Sequence, residues 1–152
     1  IQLESSAIPA YTGALELAIA CDLLIAADNA RFCDTHGKWG MSPTWGMSQR
    51  LPRRMGLLAA KEMMFSGRVI GGEEAVAMGL ANRCVAEEEL LQEAIAMAKS
   101  FLGNSWFTLR ADKMLINGGL DNTLQEELAW ERKNSPGRGP DMEERLREFA
   151  KK

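Results

Sequence analysis

One carboxylate stands alone in an apolar segment near the start of this sequence. Glu16 is the only charged residue between Ser5 and Asp22. A carboxylate in such surroundings pays a desolvation cost, and a desolvated carboxyl group suits general acid–base catalysis. The alternative is a glutamate in the first turn of a helix, paired with the helix dipole or with an arginine.

A glycine precedes this carboxylate by three residues. Gly13, in the string YTGALE, fits a turn from a strand into a helix. Such a glycine lets the backbone approach a ligand, and the free N–H groups at the helix start could stabilise an oxyanion. The alternative is a glycine that only makes the turn.

The single histidine, His36, lies in a loop-rich stretch. Histidine titrates nearest to physiological pH and could act as an acid, a base or a hydrogen-bond donor. The spacing of the sequence identifies no partner for it, so a solvent-facing side chain is the alternative. Without a second histidine, and with three widely spaced cysteines, we expect no metal site.

The same stretch carries two tryptophans, followed by a small basic cluster. Trp39 and Trp45 could wall an apolar pocket or anchor the loop to the core. The cluster could bind a phosphate or form a solvated helix end; it consists of Arg50, Arg53 and Arg54.

Composition restricts the class of protein. The 152 residues are 46% hydrophobic with a net charge of −3, so a general affinity for nucleic acid is not expected. No apolar stretch approaches the length of a membrane span, which is about 20 residues, and no signal peptide is evident. Scattered cysteines indicate a reducing compartment, which predicts a cytoplasmic protein. The first residue, Ile1, suggests a start within a longer reading frame.

The hydrophobic pattern predicts an α/β protein. The string DLLIAAD (Asp22–Asp28) predicts a strand buried on both faces, and residues 79–85 predict another. Apolar residues at helical spacing predict three helices in the second half, and Thr123 with Glu126 has the spacing of a capping box. The three sets are Leu91, Ala94, Ile95, Ala98 and Leu102; Leu120, Leu124 and Leu128; and Met142, Leu146, Phe149 and Ala150.

Three ordered strings resemble the enoyl-CoA hydratase/isomerase, or crotonase, family in its C-terminal half. They are TGALELAIACDLLIAADNARF, GMSPTWGMSQRLPRRMG and AKEMMFSGRVIGGEEAVAMGLANRCV. The resemblance implies part of a β-β-α spiral core over residues 1–85. It also implies a helical trimerisation region over residues 86–152, and hence a homo-trimer or hexamer.

The resemblance also implies the chemistry. The substrate is an acyl-CoA, with coenzyme A entering as part of it and no further cofactor. Its thioester oxygen is held by two backbone N–H groups, of which one falls on Gly13 and the other lies upstream of Ile1. The first catalytic glutamate of hydratases matches Glu16. The second, four residues after the phenylalanine of A-x-F, is His36 here, which departs from the pattern.

Further positions are implied for substrate binding. Thr44 replaces a glycine of the family's loop, and Trp45 beside it would narrow the pocket. Phe149 and Lys152 resemble residues that cover the CoA nucleotide of a neighbouring subunit. The sequence thus predicts hydration of an enoyl-CoA by Glu16 and His36. Another crotonase reaction (isomerisation, hydrolysis or decarboxylation) and an inactive fragment or assembly module are the alternatives.

Overall fold

The strand predicted within Asp22–Asp28 is confirmed at the centre of a parallel sheet. The computed structural model describes residues 2–6, 9–120 and 122–151 of the chain. In it, β3 (Leu23–Ala27) pairs on one side with β1 (Leu3–Ser6) and on the other with β6 (Arg83–Val85). Residues 24–27 are fully buried. Both faces of this strand are therefore covered, which explains its continuous apolar sequence.

A second sheet contains the two strands that directly follow β1 and β3 along the chain, together with one later strand. β2 (Pro9–Tyr11) pairs in parallel with β4 (Arg31–Cys33), and β4 pairs in antiparallel fashion with β5 (Ile70–Gly71). Along the chain, β1, β2 and a helix are followed by β3, β4 and further helices. Equivalent strands of the two turns pair with each other, so the chain winds as a β-β-α spiral, as predicted.

Eight α-helices lie in the described part of the chain. Their bounds are α1 Gly13–Ala18, α2 Met47–Met55, α3 Leu57–Ser66, α4 Gly72–Ala77, α5 Leu90–Leu102, α6 Trp106–Gly119, α7 Leu124–Asn134 and α8 Met142–Phe149. Two short 3₁₀ turns cover His36–Trp39 and Glu87–Glu89. None of the described helices is long and apolar enough to cross a membrane.

The three predicted C-terminal helices are present, with one error of assignment. Thr123 and Glu126 form the predicted capping box at the start of α7. Leu120, however, caps the end of α6 and does not belong to the same helix as Leu124. The helix α6 itself was not predicted. The predicted strand over residues 79–85 is also shorter, because only its last three residues pair with β3.

The chain divides into two compact units at the middle of α5. One unit comprises Gln2–Met97 and holds both sheets, and the other begins at Ala98 and is helical. The first unit contains the fully buried core, which is centred on β3, Phe32, Leu51 and Met63. Large apolar side chains of the second unit are exposed, including Leu124 at 69% and Phe149 at 79%.

One cysteine is part of the core of the first unit. Cys33 is fully buried and its Sγ donates to the carbonyl of Gly67 over 3.1 Å. Burial raises the pKa of this thiol above its ordinary value. Cys33 therefore packs as a small neutral side chain, as its isolated position in the sequence suggests.

Candidate active site

The carboxylate of Glu16 is buried and held by the backbone of a distant loop. Glu16 lies in the first turn of α1 and is 4% exposed. Its Oε1 accepts hydrogen bonds from the backbone N–H groups of Trp45 at 3.2 Å and Met47 at 3.0 Å. Gly46, between them, has φ +109°, a conformation that glycine adopts without strain and that turns both N–H groups toward one oxygen. These bonds offset the desolvation of the carboxylate and fix its direction.

The second oxygen of this carboxylate remains available. Within the described part of the chain Oε2 has no hydrogen-bond partner. Among the described residues, Trp130 Nε1 is the single fully buried side-chain nitrogen or oxygen that lacks a hydrogen-bond partner. Oε2 lacks a partner but is not fully buried. Oε2 is therefore reached by solvent and can exchange a proton with a bound molecule.

Gly13 and Trp45 lie in contact beside this carboxylate. Gly13 is the first residue of α1, so its N–H has no acceptor within the helix. A Cβ added at Gly13 would lie 3.1 Å from Cζ3 of Trp45. The Trp45 side chain is nevertheless 65% exposed, and that of Trp39 is 72% exposed. The alternative that these tryptophans anchor the loop to the core is therefore wrong, and the Trp45 ring forms a wall next to Gly13.

A strained threonine joins this segment to the one that carries His36. Thr12 has φ +49°, which costs a β-branched residue about 1–3 kcal/mol. Its N–H donates to the Cys33 carbonyl at 3.0 Å, and its Oγ1 accepts from the Thr35 N–H at 3.3 Å. The hydroxyl groups of Thr12 and Thr35 also share a short hydrogen bond. Thr12 immediately precedes Gly13, and Thr35 immediately precedes His36, so these bonds couple the two segments.

His36 is buried and has a carboxylate partner that sequence reasoning missed. It is 8% exposed, and its Nδ1 lies 2.6 Å from Oδ1 of Asp34, which is 1% exposed. The same oxygen accepts the backbone N–H of His36 at 3.0 Å. The alternative of a solvent-facing histidine is thus wrong. The available signal was the carboxylate two residues before the histidine, in the string DTH.

This pair settles which nitrogen of His36 can react. A carboxylate oxygen only accepts hydrogen bonds, so Nδ1 carries the proton that faces Asp34. In the neutral ring, Nε2 is then left with a free lone pair. No hydrogen-bond partner of Nε2 lies in the described part of the chain. His36 can therefore act as a base or acid through Nε2, with its ring oriented by Asp34.

The remaining predicted residues are Thr44, Phe149 and Lys152. Thr44 is exposed in the loop beside Trp45. Phe149 is exposed on α8, in the other compact unit, and Lys152 lies outside the described residues. No group of three potential metal-ligating side chains occurs among the described residues.

The basic cluster is occupied by contacts within the protein. Arg50 donates to the Trp45 carbonyl at 2.6 Å, and Arg53 to the carbonyl of Gln49 at 2.8 Å. Arg54 donates to three backbone carbonyls, one in the last residue of α1 and two in the segment just after it. The interpretation as a solvated helix end therefore does not hold for Arg54.

Comparisons with known proteins place the chain in a family. A model of the enoyl-CoA hydratase/isomerase family matches residues 9–151. A probable enoyl-CoA hydratase of Mycobacterium leprae is 41% identical over 124 residues, which are 82% of this chain and 48% of that protein. The crystal structure of an enoyl-CoA hydratase from Bacillus anthracis matches with a TM-score of 0.89 and 32% identity over 94% of this chain and 56% of that one.

A third relative was solved with a ligand. A putative enoyl-CoA hydratase from Thermobifida fusca, in complex with acetoacetyl-CoA, matches with a TM-score of 0.81 and 26% identity. The match covers 99% of this chain and 55% of that one. The chain spans about half the length of the curated relatives it matches, for example 48% of the M. leprae protein. The family match over residues 9–151 and the shared spiral fold show that the chain belongs to the enoyl-CoA hydratase/isomerase family.

Proposed function

We propose that this chain supplies the acid–base half of an active site that adds water to an enoyl-CoA thioester. The observation that carries the proposal is the buried Glu16 carboxylate, which two backbone N–H groups hold by one oxygen while the other stays accessible. Hydratase-named relatives and the acetoacetyl-CoA complex of a structural neighbour support an acyl-CoA substrate. Coenzyme A enters as part of that substrate, and no further cofactor is required.

The proposed reaction joins Gly13, Glu16 and His36. Water oxygen bonds to the β-carbon, and the electron pair of the double bond moves toward the thioester oxygen. The N–H of Gly13 would donate to that oxygen as its negative charge develops. Glu16 and His36 accept the proton that leaves water and supply the proton that reaches the α-carbon, so the overall reaction gains and loses no proton.

The residues around this centre would shape the pocket. The Trp45 ring lies against Gly13 and would limit the space beside the thioester, with Thr44 next to it in the same loop. Phe149 and Lys152 would contact the nucleotide of a CoA bound to a neighbouring subunit. This last assignment depends on assembly as a homo-trimer or hexamer, which the exposed apolar side chains of the helical unit support.

The experiment compares two glutamate-to-glutamine variants of the protein purified as its gene encodes it. Hydration of crotonyl-CoA is followed by the loss of the ultraviolet absorbance of the enoyl thioester. We expect E16Q to lose about 10²–10⁴-fold in kcat, the range typical of a missing general acid–base group. The control is E88Q, which removes an exposed carboxylate of the second 3₁₀ turn and should leave kcat unchanged. An E16Q protein that turns over crotonyl-CoA at the wild-type rate would refute the role of Glu16.

Assays on the same purified protein also test two alternative functions. The resemblance puts His36 at the position of the second hydratase glutamate, and its hydrogen bond to Asp34 favours testing double-bond isomerisation with a β,γ-enoyl-CoA as well. The exposed apolar side chains of the helical unit favour a non-catalytic assembly module. Binding of a CoA thioester by the purified protein would argue against that module.

A further inference from the structure

The position of Glu16 depends on where α2 begins. Its Oε1 accepts from Trp45 and Met47, and Met47 is the first residue of α2. A displacement of α1 against α2 would lengthen both hydrogen bonds together. The geometry of the carboxylate is therefore set by the register of these two helices.

The opposite end of α2 is tied to the end of α1 by one side chain. Arg54 lies in the last turn of α2 and its Nη1 donates to the Cys21 carbonyl at 2.9 Å and to the Ala18 carbonyl at 3.4 Å. Its Nη2 donates to the carbonyl of Asp22 at 3.3 Å. A guanidinium group suits this task because its donors form a rigid planar fork that reaches several acceptors at once.

The setting of Arg54 differs from that of a solvated surface arginine. Its side chain is partly buried, and this desolvation lowers the pKa of the guanidinium below its ordinary value. Arginine nevertheless stays charged, so the three carbonyls replace the water that it loses. A cation at the C-terminal end of α1 also interacts favourably with the partial negative charge there.

We propose that Arg54 is a positioning residue for Glu16. By holding the end of α1 against the last turn of α2, it keeps the Glu16 carboxylate in register with the N–H groups of Trp45 and Met47. The inference rests on the proposed role of Glu16 and adds a residue that touches neither the substrate nor the carboxylate.

The test is a double-mutant cycle in the protein purified as its gene encodes it. R54M keeps an unbranched stem but removes all donors, and it is measured in the wild-type and E16Q backgrounds. We expect R54M alone to lower kcat for crotonyl-CoA about 10- to 100-fold with little change in KM, the scale of a small misplacement of a catalytic group. In the E16Q background, R54M should change kcat by less than about twofold, because residues that act as a unit are not additive.

Two further variants separate positioning from a general loss of stability. R54K keeps the charge without the fork and should recover part of kcat, and it replaces R54M in the cycle if R54M does not fold. R68M removes an arginine that pairs with Glu62 and Glu74 elsewhere in the same unit, so it should lower stability without lowering kcat.

Each outcome bears on a different statement. If R54M lowers kcat by the same factor in both backgrounds, or leaves the wild-type kcat intact, Arg54 does not position Glu16. If E16Q alone retains wild-type turnover, the proposed function fails, whatever R54M does.

Discussion

The partnership of Asp34 with His36 makes a quantitative prediction. D34N keeps the size of the side chain and one acceptor oxygen but removes the charge opposite Nδ1 of His36. A hydrogen bond to a charged group contributes about 1.5–3 kcal/mol, and a neutral one about 0.5–1.5 kcal/mol. The difference of about 1–2 kcal/mol corresponds to about a 5- to 30-fold loss in kcat if that bond orients His36 in the transition state.

Because the pair is buried, we expect the full difference in hydrogen-bond energy, and we expect it as a loss of activity. Asp34 is 1% exposed and both N–H groups that it accepts belong to His36, so little solvent screens the contact. In D34N the side-chain NH₂ can also turn toward Nδ1, which would favour the wrong tautomer and place the proton on Nε2. The estimate is therefore a lower bound on the loss.

The assay is the hydration of crotonyl-CoA under saturating substrate, with urea unfolding as the measure of stability. D28N is the matched control, because Asp28 is exposed and, among the described residues, its Oδ1 accepts only from the neighbouring Asn29. D34N is also measured in an H36Q background, where it should cost no further activity. Equal losses with and without His36, or a D34N protein that folds and retains wild-type kcat, would refute this reasoning.

Two predictions concern stability. G72A places a Cβ against the Ala27 carbonyl oxygen, well inside van der Waals contact. In urea unfolding it should therefore lower the free energy of unfolding by about 1–3 kcal/mol. G103A, whose added Cβ would have its nearest contact at 3.6 Å, should be close to neutral. Hydrogen bonds from Arg145 and Ser105 lower the pKa of Asp141 below its ordinary value. A pKa lowered in the folded state stabilises the protein at pH values above the unfolded pKa of about 3.9. This contribution should disappear as the pH falls through the lower pKa of the folded state. D141N should therefore lose less stability than the wild type in an acid titration.

The sequence predicts elements well where local residues alone decide them. The strand β3 follows from a run of apolar residues bounded by Asp22 and Asp28, because a strand covered on both faces needs no alternation. The start of α7 follows from Thr123 and Glu126, whose reciprocal hydrogen bonds are made within four residues.

Elements that depend on distant partners were harder to predict. β5 comprises two residues and has no signal in the sequence, whereas β6 is predicted but too long. Only their pairing with β4 and β3 defines these strands and their bounds. The helix α6 buries only its Gly119 fully among its residues, and its exposed apolar positions, including Trp106 and Ile116, form no clear stripe. A helix whose apolar residues are spread around its circumference carries a weak periodic signal.

The same distinction between local and distant determinants applies to the candidate site. The residue types and the order of the motifs determined the family and the fold. They also singled out Gly13, Glu16 and His36 as candidates, because that choice depends on which side chains the chain carries. Only the tertiary structure decided what surrounds them: backbone donors to Glu16 come from residues 29 and 31 positions away, and Arg54 reaches carbonyls more than 30 positions away. Backbone N–H and C=O groups are the same in every residue apart from the N–H that proline lacks, so no sequence pattern marks the ones that folding brings to a carboxylate or a guanidinium.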